Sequence, residues 1–186
     1  EASKALSSPF ALALRLQRSS LIWWSVGILA MGVVFGSFTS PMAEGAEGMP
    51  PEILAIMGGA DGIVDGYLGY MALYFTIIVA VFAILSASGL RSEEQAYRTE
   101  PVLATAVSRP GWMLAWATVT FLGALLLMGL AGLGEGVGAA ASTGDWDLLW
   151  PSFVGHVAQT PAVWVLLGIV YALYGLAPRL QGLVWV

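Results

Sequence analysis

The sequence predicts an all-α integral membrane protein with four membrane-crossing helices and the start of a fifth. Three observations carry this: 58% of the 186 residues are hydrophobic, only 10% are charged, and the charges are bunched so that long windows hold none. Soluble domains carry about 25% charged and about 45–50% apolar residues. A water-soluble core of this length cannot hide so much apolar surface. Residues 19–43, 66–90 and 110–134 each run 25 positions without Asp, Glu, Lys or Arg, and 148–178 runs 31. At about 1.5 Å of rise per residue, roughly 20 helical residues cross a hydrocarbon core about 30 Å thick. Inside lipid every backbone N–H and C=O needs a partner within its own element, which selects helices over open sheets.

Taken in order, Ser8 and Pro9 read as the N-cap and first residue of a helix over about 9–18. Its Arg15 and Arg18 lie on a narrow polar wedge, which reads as a cytoplasmic interfacial helix leading into the first span, the alternative being an early start of that span. Spans are expected at about 20–39, 67–90, 111–133 and 153–176. The connection 40–66 contains Pro41, Pro50, Pro51 and the run Gly58-Gly59-Ala60-Asp61-Gly62, which favours turns and short helical pieces. Two further loops follow, 91–110 and 134–150. Glu1 is not an initiator Met, so the natural start is read as removed; Leu180 to Val186 is apolar and reads as a fifth helix cut short. Cysteine is absent, which excludes disulfides and thiolate metal sites in these residues.

The basic residues fall in three places: Lys4, Arg15 and Arg18; Arg91, Arg98 and Arg109; and Arg179. These are alternate sides of the membrane. The other two loops carry acids only, with Glu44, Glu47, Glu52, Asp61 and Asp65 in one and Glu135, Asp145 and Asp147 in the other. The positive-inside rule places the N-terminus and loop 91–110 in the cytosol of a multi-pass membrane protein. Trp23, Trp24, Trp112 and Trp116 are expected near cytoplasmic ends, and Tyr67, Tyr70, Trp146 and Trp150 near outer ends.

Loop 91–110 holds six of the nineteen charges. Ser92 and Gln95 fit a capping box, Glu93 and Glu94 suit a first helical turn, and Glu94 to Arg98 is an i,i+4 pair, so a short surface helix is expected from Ser92. Beyond Pro101, the mostly apolar Val102 to Val107 needs lipid or a protein partner to cover it. The charge pattern alone fits a docking helix and a solvated hinge equally well.

The run Arg91-Ser-Glu-Glu-Gln-Ala-Tyr-Arg-Thr-Glu-Pro-Val-Leu-Ala-Thr-Ala-Val-Ser-Arg closely resembles the corresponding loop of ABC-2 type permeases, the membrane subunits of actinobacterial polyketide-antibiotic exporters. Ser142-Thr-Gly-Asp-Trp, Leu166-Leu-Gly and Tyr174-Gly-Leu-Ala-Pro-Arg-Leu extend the resemblance from about Phe10 to the last residue. It implies a longer chain of two six-span halves, of which this is most of the second. It also implies that the short cytoplasmic helix sits in a cleft of a separate ATP-binding cassette ATPase. Carried onto this sequence, the coupling residues are Arg91, Glu93, Glu94, Arg98, Glu100 and Arg109. Tyr97 departs from the glycine of the pattern and puts the closeness of that approach in doubt. The implied partners are the ATPase, the other half of the permease and membrane lipid, with no nucleic acid. ATP and magnesium belong to the ATPase, and no cofactor is expected on this chain.

Other chemistries find less support. A Walker A loop needs Gly-x-x-x-x-Gly-Lys followed by Ser or Thr, and the only lysine is Lys4 in Ser-Lys-Ala. The glycines of 129–138 are followed by no lysine and read as a flexible or closely packed helix end. Ser152 and His156 at i,i+4 are the one nucleophile–base candidate for an intramembrane hydrolase, without an oxyanion motif. One histidine with loop acids offers no metal-ligand spacing. Gly32 and Gly36 form a small-xxx-small pattern that lets a second helix approach, or are ordinary membrane-helix glycines. With no acid or base placed inside a span, an ion-coupled secondary transporter is disfavoured and an apolar or amphipathic cargo expected; Thr76, Ser86, Gln159 and Thr160 remain to contact polar groups.

Overall fold

The computed structural model describes residues 8–56, 58–59, 62–95 and 108–176, and every regular element among them is helical. Helix α1 is Pro9–Ser37. Ser8 is extended (φ −127°, ψ 146°) and its Oγ accepts from the Ala11 N–H at 3.1 Å, while Pro9 occupies the first turn, where its missing N–H costs nothing. The helix is unbroken, so there is no separate interfacial helix over 9–18. The reason is a continuous buried stripe: Ala13, Gln17, Leu21, Ile28, Gly32 and Gly36 recur at helical spacing down one face. No residue between Gln17 and Leu21 interrupts the docking.

The next connection is built of short pieces, α2 (Thr39–Glu44), a 3₁₀ turn (Gly45–Gly48) and α3 (Pro51–Ile56), as its prolines favour. Helix α4 (Ile63–Gln95) starts before and ends after the expected span. Ser92 is therefore an interior residue of α4 and caps no new helix, because Leu90 to Gln95 contains nothing that breaks one. Helix α5 (Arg109–Thr143) is capped by Ser108, whose Oγ accepts from the Gly111 N–H at 3.2 Å. It ends at Gly144, which takes the left-handed conformation (φ 80°) and donates to the Ala140 carbonyl. Residues 134–143, expected in a loop, thus continue the helix by more than two turns. A 3₁₀ turn (Trp146–Leu148) leads into α6 (Leu149–Leu176), which continues through Pro161.

The four long helices, α1, α4, α5 and α6, are each long and apolar enough to cross a membrane. At 35 residues α5 extends about 52 Å. It is also central, packing against α1, α6 and α4, whereas α1 and α4 barely touch. Phe75, Val79, Phe82, Leu127, Met128 and Leu167 fill the core between them. Trp23, Ile77, Trp150 and Val165 stay largely exposed on the bundle's outside, as a lipid-facing surface requires. Trp112 and Trp116 stand near the basic end and Tyr67 near the acidic end, as expected, but they face the bundle and are buried. Up-and-down topology gathers Arg15, Arg18, Arg91 and Arg109 at one end and Glu44, Glu52, Asp65, Asp145 and Asp147 at the other.

Candidate functional site

At the basic end α1 and α4 part around a cleft of about 320 Å³. Trp24, Phe82, Leu85 and Trp116 supply its apolar walls, with the Trp24 and Phe82 rings edge to face at 5.6 Å. Gln17, Ser20 and Ser86 supply polar groups, and Ser92 and Glu93 stand toward the α4 end. Aromatic walls with a few placed polar groups are what small-molecule sites offer.

The polar floor is a hydrogen-bond network that joins all four long helices. Ser86 on α4 donates to Gln17 Oε1 on α1 at 2.6 Å, and the Gln17 amide donates to the Trp116 carbonyl on α5 at 3.3 Å. The Thr120 hydroxyl lies 2.9 Å from Ser86 Oγ and 3.2 Å from Gln17 Oε1, and it accepts from the Tyr171 hydroxyl on α6 at 3.2 Å. Trp116 Nε1 donates to the Ser86 carbonyl at 2.9 Å. Gln17 is only 5% exposed and Thr120 0%, so these groups must satisfy one another, and they do. An amide and three hydroxyls at this depth fix how α1 sits against α4 and α5.

At the opposite end α1 is held by backbone contact. A Cβ on Gly32 would lie 2.8 Å from the Ala131 carbonyl oxygen, and one on Gly134 would lie 2.5 Å from the Leu29 carbonyl oxygen. Gly36 against Glu135 and Gly138 against Val33 are tighter still. Gly132 and Gly136, on the other face of α5, admit the backbone of α6 at Ser152, Phe153 and Leu149 in the same way. The glycine-rich end of α5 is therefore a two-sided packing seam.

The residues expected to couple to an ATPase are placed as follows. Arg91 is exposed in the last turns of α4, Glu93 is half-buried at the cleft, Glu94 lies in α4, and Arg109 is the exposed first residue of α5. Arg98 and Glu100, with Tyr97 and the expected docking helix 102–107, lie outside the described residues, as do Arg179 and Leu180 to Val186. Glu135, expected in a loop, is 0% exposed inside the bundle, which removes the argument that the spans hold no acid. His156 is likewise fully buried. Its Nδ1 meets the Ser152 carbonyl at 2.9 Å, while Ser152 Oγ has no partner. That is no nucleophile–base pair. Thr76 bonds back to the Ala72 carbonyl of its own helix. Among the described residues no group of three His, Cys, Asp or Glu side chains could hold a metal.

Sequence reasoning noticed Ser86 but missed Gln17 and Thr120. The signal was available in Gln17, an amide placed four residues from Ala13 and from Leu21 on one apolar stripe.

The family described as multidrug efflux system permease Rv1217c, C-terminal domain, matches residues 6–186. The multidrug efflux system permease protein Rv1217c of Mycobacterium tuberculosis is 33% identical over 187 aligned residues, covering 99% of this chain and 34% of the relative. The chain thus spans about a third of that relative's length. A four-helix membrane bundle that matches this domain over nearly its whole length belongs to the family of multidrug efflux permeases of the Rv1217c type, as their C-terminal domain.

Proposed function

We propose that the chain is part of the second half of an ABC-2 type permease, working with a separate ATP-binding cassette ATPase to export apolar and amphipathic compounds, polyketide antibiotics among them. The observation that carries the reading is the α1–α4 cleft with its aromatic walls and polar floor. Its size falls at the lower end of the roughly 300–1,000 Å³ of small-molecule sites. A cargo with an apolar body and one or two hydrogen-bonding groups suits it better than a strongly hydrated ion.

In this reading the arginine-bearing end faces the cytosol, so the cleft lies at the inner leaflet, where compounds dissolved in lipid gather. ATP and magnesium are bound by the ATPase. Loop 91–110, with Arg91, Glu93, Glu94, Arg98, Glu100 and Arg109, transmits its closure to α4 and α5. Charged side chains suit a wet, repeatedly remade contact because they fix register more than they add affinity. Glu93 joins the two roles, since it belongs to the coupling segment and lines the cleft.

Two variants of the full-length transporter, assayed with its ATPase, test the reading. Ser20 lines the cleft and Ser19, its neighbour and likewise exposed, does not. Ser20→Trp is expected to abolish efflux of lipophilic drugs while Ser19→Trp retains it, both at parental membrane levels. Equal efflux by the two refutes the cleft as the cargo site. A cysteine at Ala104 is expected to crosslink to the ATPase and one at Ser142 is not; the reverse refutes the orientation.

A further inference from the structure

The cleft leaves unused a polar cluster in the opposite half of the bundle. Glu135 on α5 and His156 on α6 are both 0% exposed, with Glu135 Oε2 3.5 Å from His156 Nδ1. A backbone carbonyl only accepts, so the 2.9 Å approach of His156 Nδ1 to the Ser152 carbonyl requires a hydrogen on Nδ1. In the neutral ring Nε2 is then an acceptor, and it has no hydrogen-bond partner. Neither carboxylate oxygen of Glu135 has one either. Ser152 Oγ and Thr160 Oγ1, one turn to either side of His156 along α6, are also buried without partners.

The unfilled positions at Glu135 and His156 are thus all acceptors, and what is missing is a donor. A buried carboxylate without donors is strongly unfavourable, and taking up a proton removes its charge. Among the described residues the one group near enough to serve as a counter-cation is His156 itself. From α1, Gly36 packs its backbone against the Glu135 main chain and brings no charge. From α4 come the Phe75 ring, 5.5 Å from that of His156, and Tyr67, whose hydroxyl is spent on the Phe35 carbonyl at 2.7 Å. The described arginines are at the other end of the bundle.

A route in is also present. A cavity of about 220 Å³ between α4 and α6 is lined by Asp65, Leu68, Ala72, Ser152, Gly155 and His156. Asp65 is exposed and opens it toward the acidic end, whereas Glu135 lies behind His156 and does not line it. Aspartate at the entrance concentrates protons and other cations, and the sealed position of Glu135 selects the smallest of them.

We propose that Glu135 and His156 form a reversible proton-binding site inside the membrane-spanning bundle, loaded from the acidic end through the Asp65 cavity. One proton from the cavity is taken up at His156 Nε2 while the Nδ1 proton passes to the Glu135 carboxylate 3.5 Å away, giving a neutral acid beside a neutral ring, and the reverse transfers return it. The site is independent of the cargo reading, because proton binding is read without transport.

The test is infrared difference spectroscopy on the full-length transporter in lipid nanodiscs, taken between alkaline and acidic buffer. A protonated-carboxyl stretch at the high frequency of a carboxyl without hydrogen-bond partners, apart from the band of the exposed acids, is expected to appear on acidification, to shift in D₂O and to be missing from Glu135→Gln. His156→Gln is expected to keep the band and move its pH midpoint. Gly155→Trp, which fills the cavity, is expected to slow hydrogen–deuterium exchange of the band at least tenfold. A parent spectrum without such a band overturns the proposal whether or not any variant folds. So does a band that survives in Glu135→Gln, a midpoint indifferent to His156→Gln, or exchange unchanged by Gly155→Trp.

Discussion

The two halves of α1 are held by opposite means. Toward the acidic end it lies backbone to backbone on α5, with Gly32 and Gly36 facing Gly134 and Gly138. Toward the basic end it stands off from α4 across a cleft and is tied by side-chain hydrogen bonds from Gln17. Close backbone contact has no tolerance, because any added carbon meets a carbonyl that the helix itself fixes. A hydrogen-bond network is softer: its bonds can be remade by a cargo that offers the same groups. One end of the bundle is therefore rigid and the other adaptable.

Substitutions that attack each end separate these roles. The largest effect is expected from Gly36→Leu, where even a Cβ collides with the Glu135 carbonyl. The loss is about 3 kcal/mol or more, because the clash is with backbone and cannot be relieved by a rotamer change. Thermal unfolding in detergent is expected to show a large drop or no folded protein; a parental transition would show that α1 and α5 are not in contact. Next comes Gln17→Leu, which strips partners from Ser86 and Thr120 at once. Interhelical hydrogen bonds in membranes average about 0.6 kcal/mol and reach about 1.7. A loss of about 1.5 kcal/mol is therefore expected, with a larger change in drug selectivity than in stability; unchanged selectivity would take the network out of the cargo site. The smallest effect is expected from Gly27→Ala, between the two regions, where a Cβ meets nothing within 4 Å. Stability should change by less than about 1 kcal/mol, and a severe loss would mean that a partner covers that face.

The fold was legible because charge-free windows and backbone satisfaction leave few alternatives. Four long helices stand where four windows were read. The helix ends were less legible, for a physical reason. A charge read as a loop marker is one only if water reaches it, and Glu135 sits seven residues after Met128 on a helix that glycines allow to pack from both sides. Nothing local distinguishes a buried glutamate from a solvated one. Likewise Ser92 has a capping sequence but no break before it, so the helix runs through. The Gly-x-x-x-Gly pattern of α1 was visible, and the glycines at every second position from 132 to 138 read as a flexible or closely packed end without showing which neighbours they admit. Gln17 required knowing that the helix begun at Pro9 never leaves the bundle.

The most direct measurement is photoaffinity labelling of the full-length transporter by a diazirine-bearing lipophilic substrate, with labelled peptides mapped by mass spectrometry. Label is expected on residues 16–24 of α1 and 82–93 of α4, and to fall when unlabelled substrate is added. Label confined to lipid-facing positions such as Ile77 and Val165, insensitive to competition, would contradict a cargo site in the α1–α4 cleft.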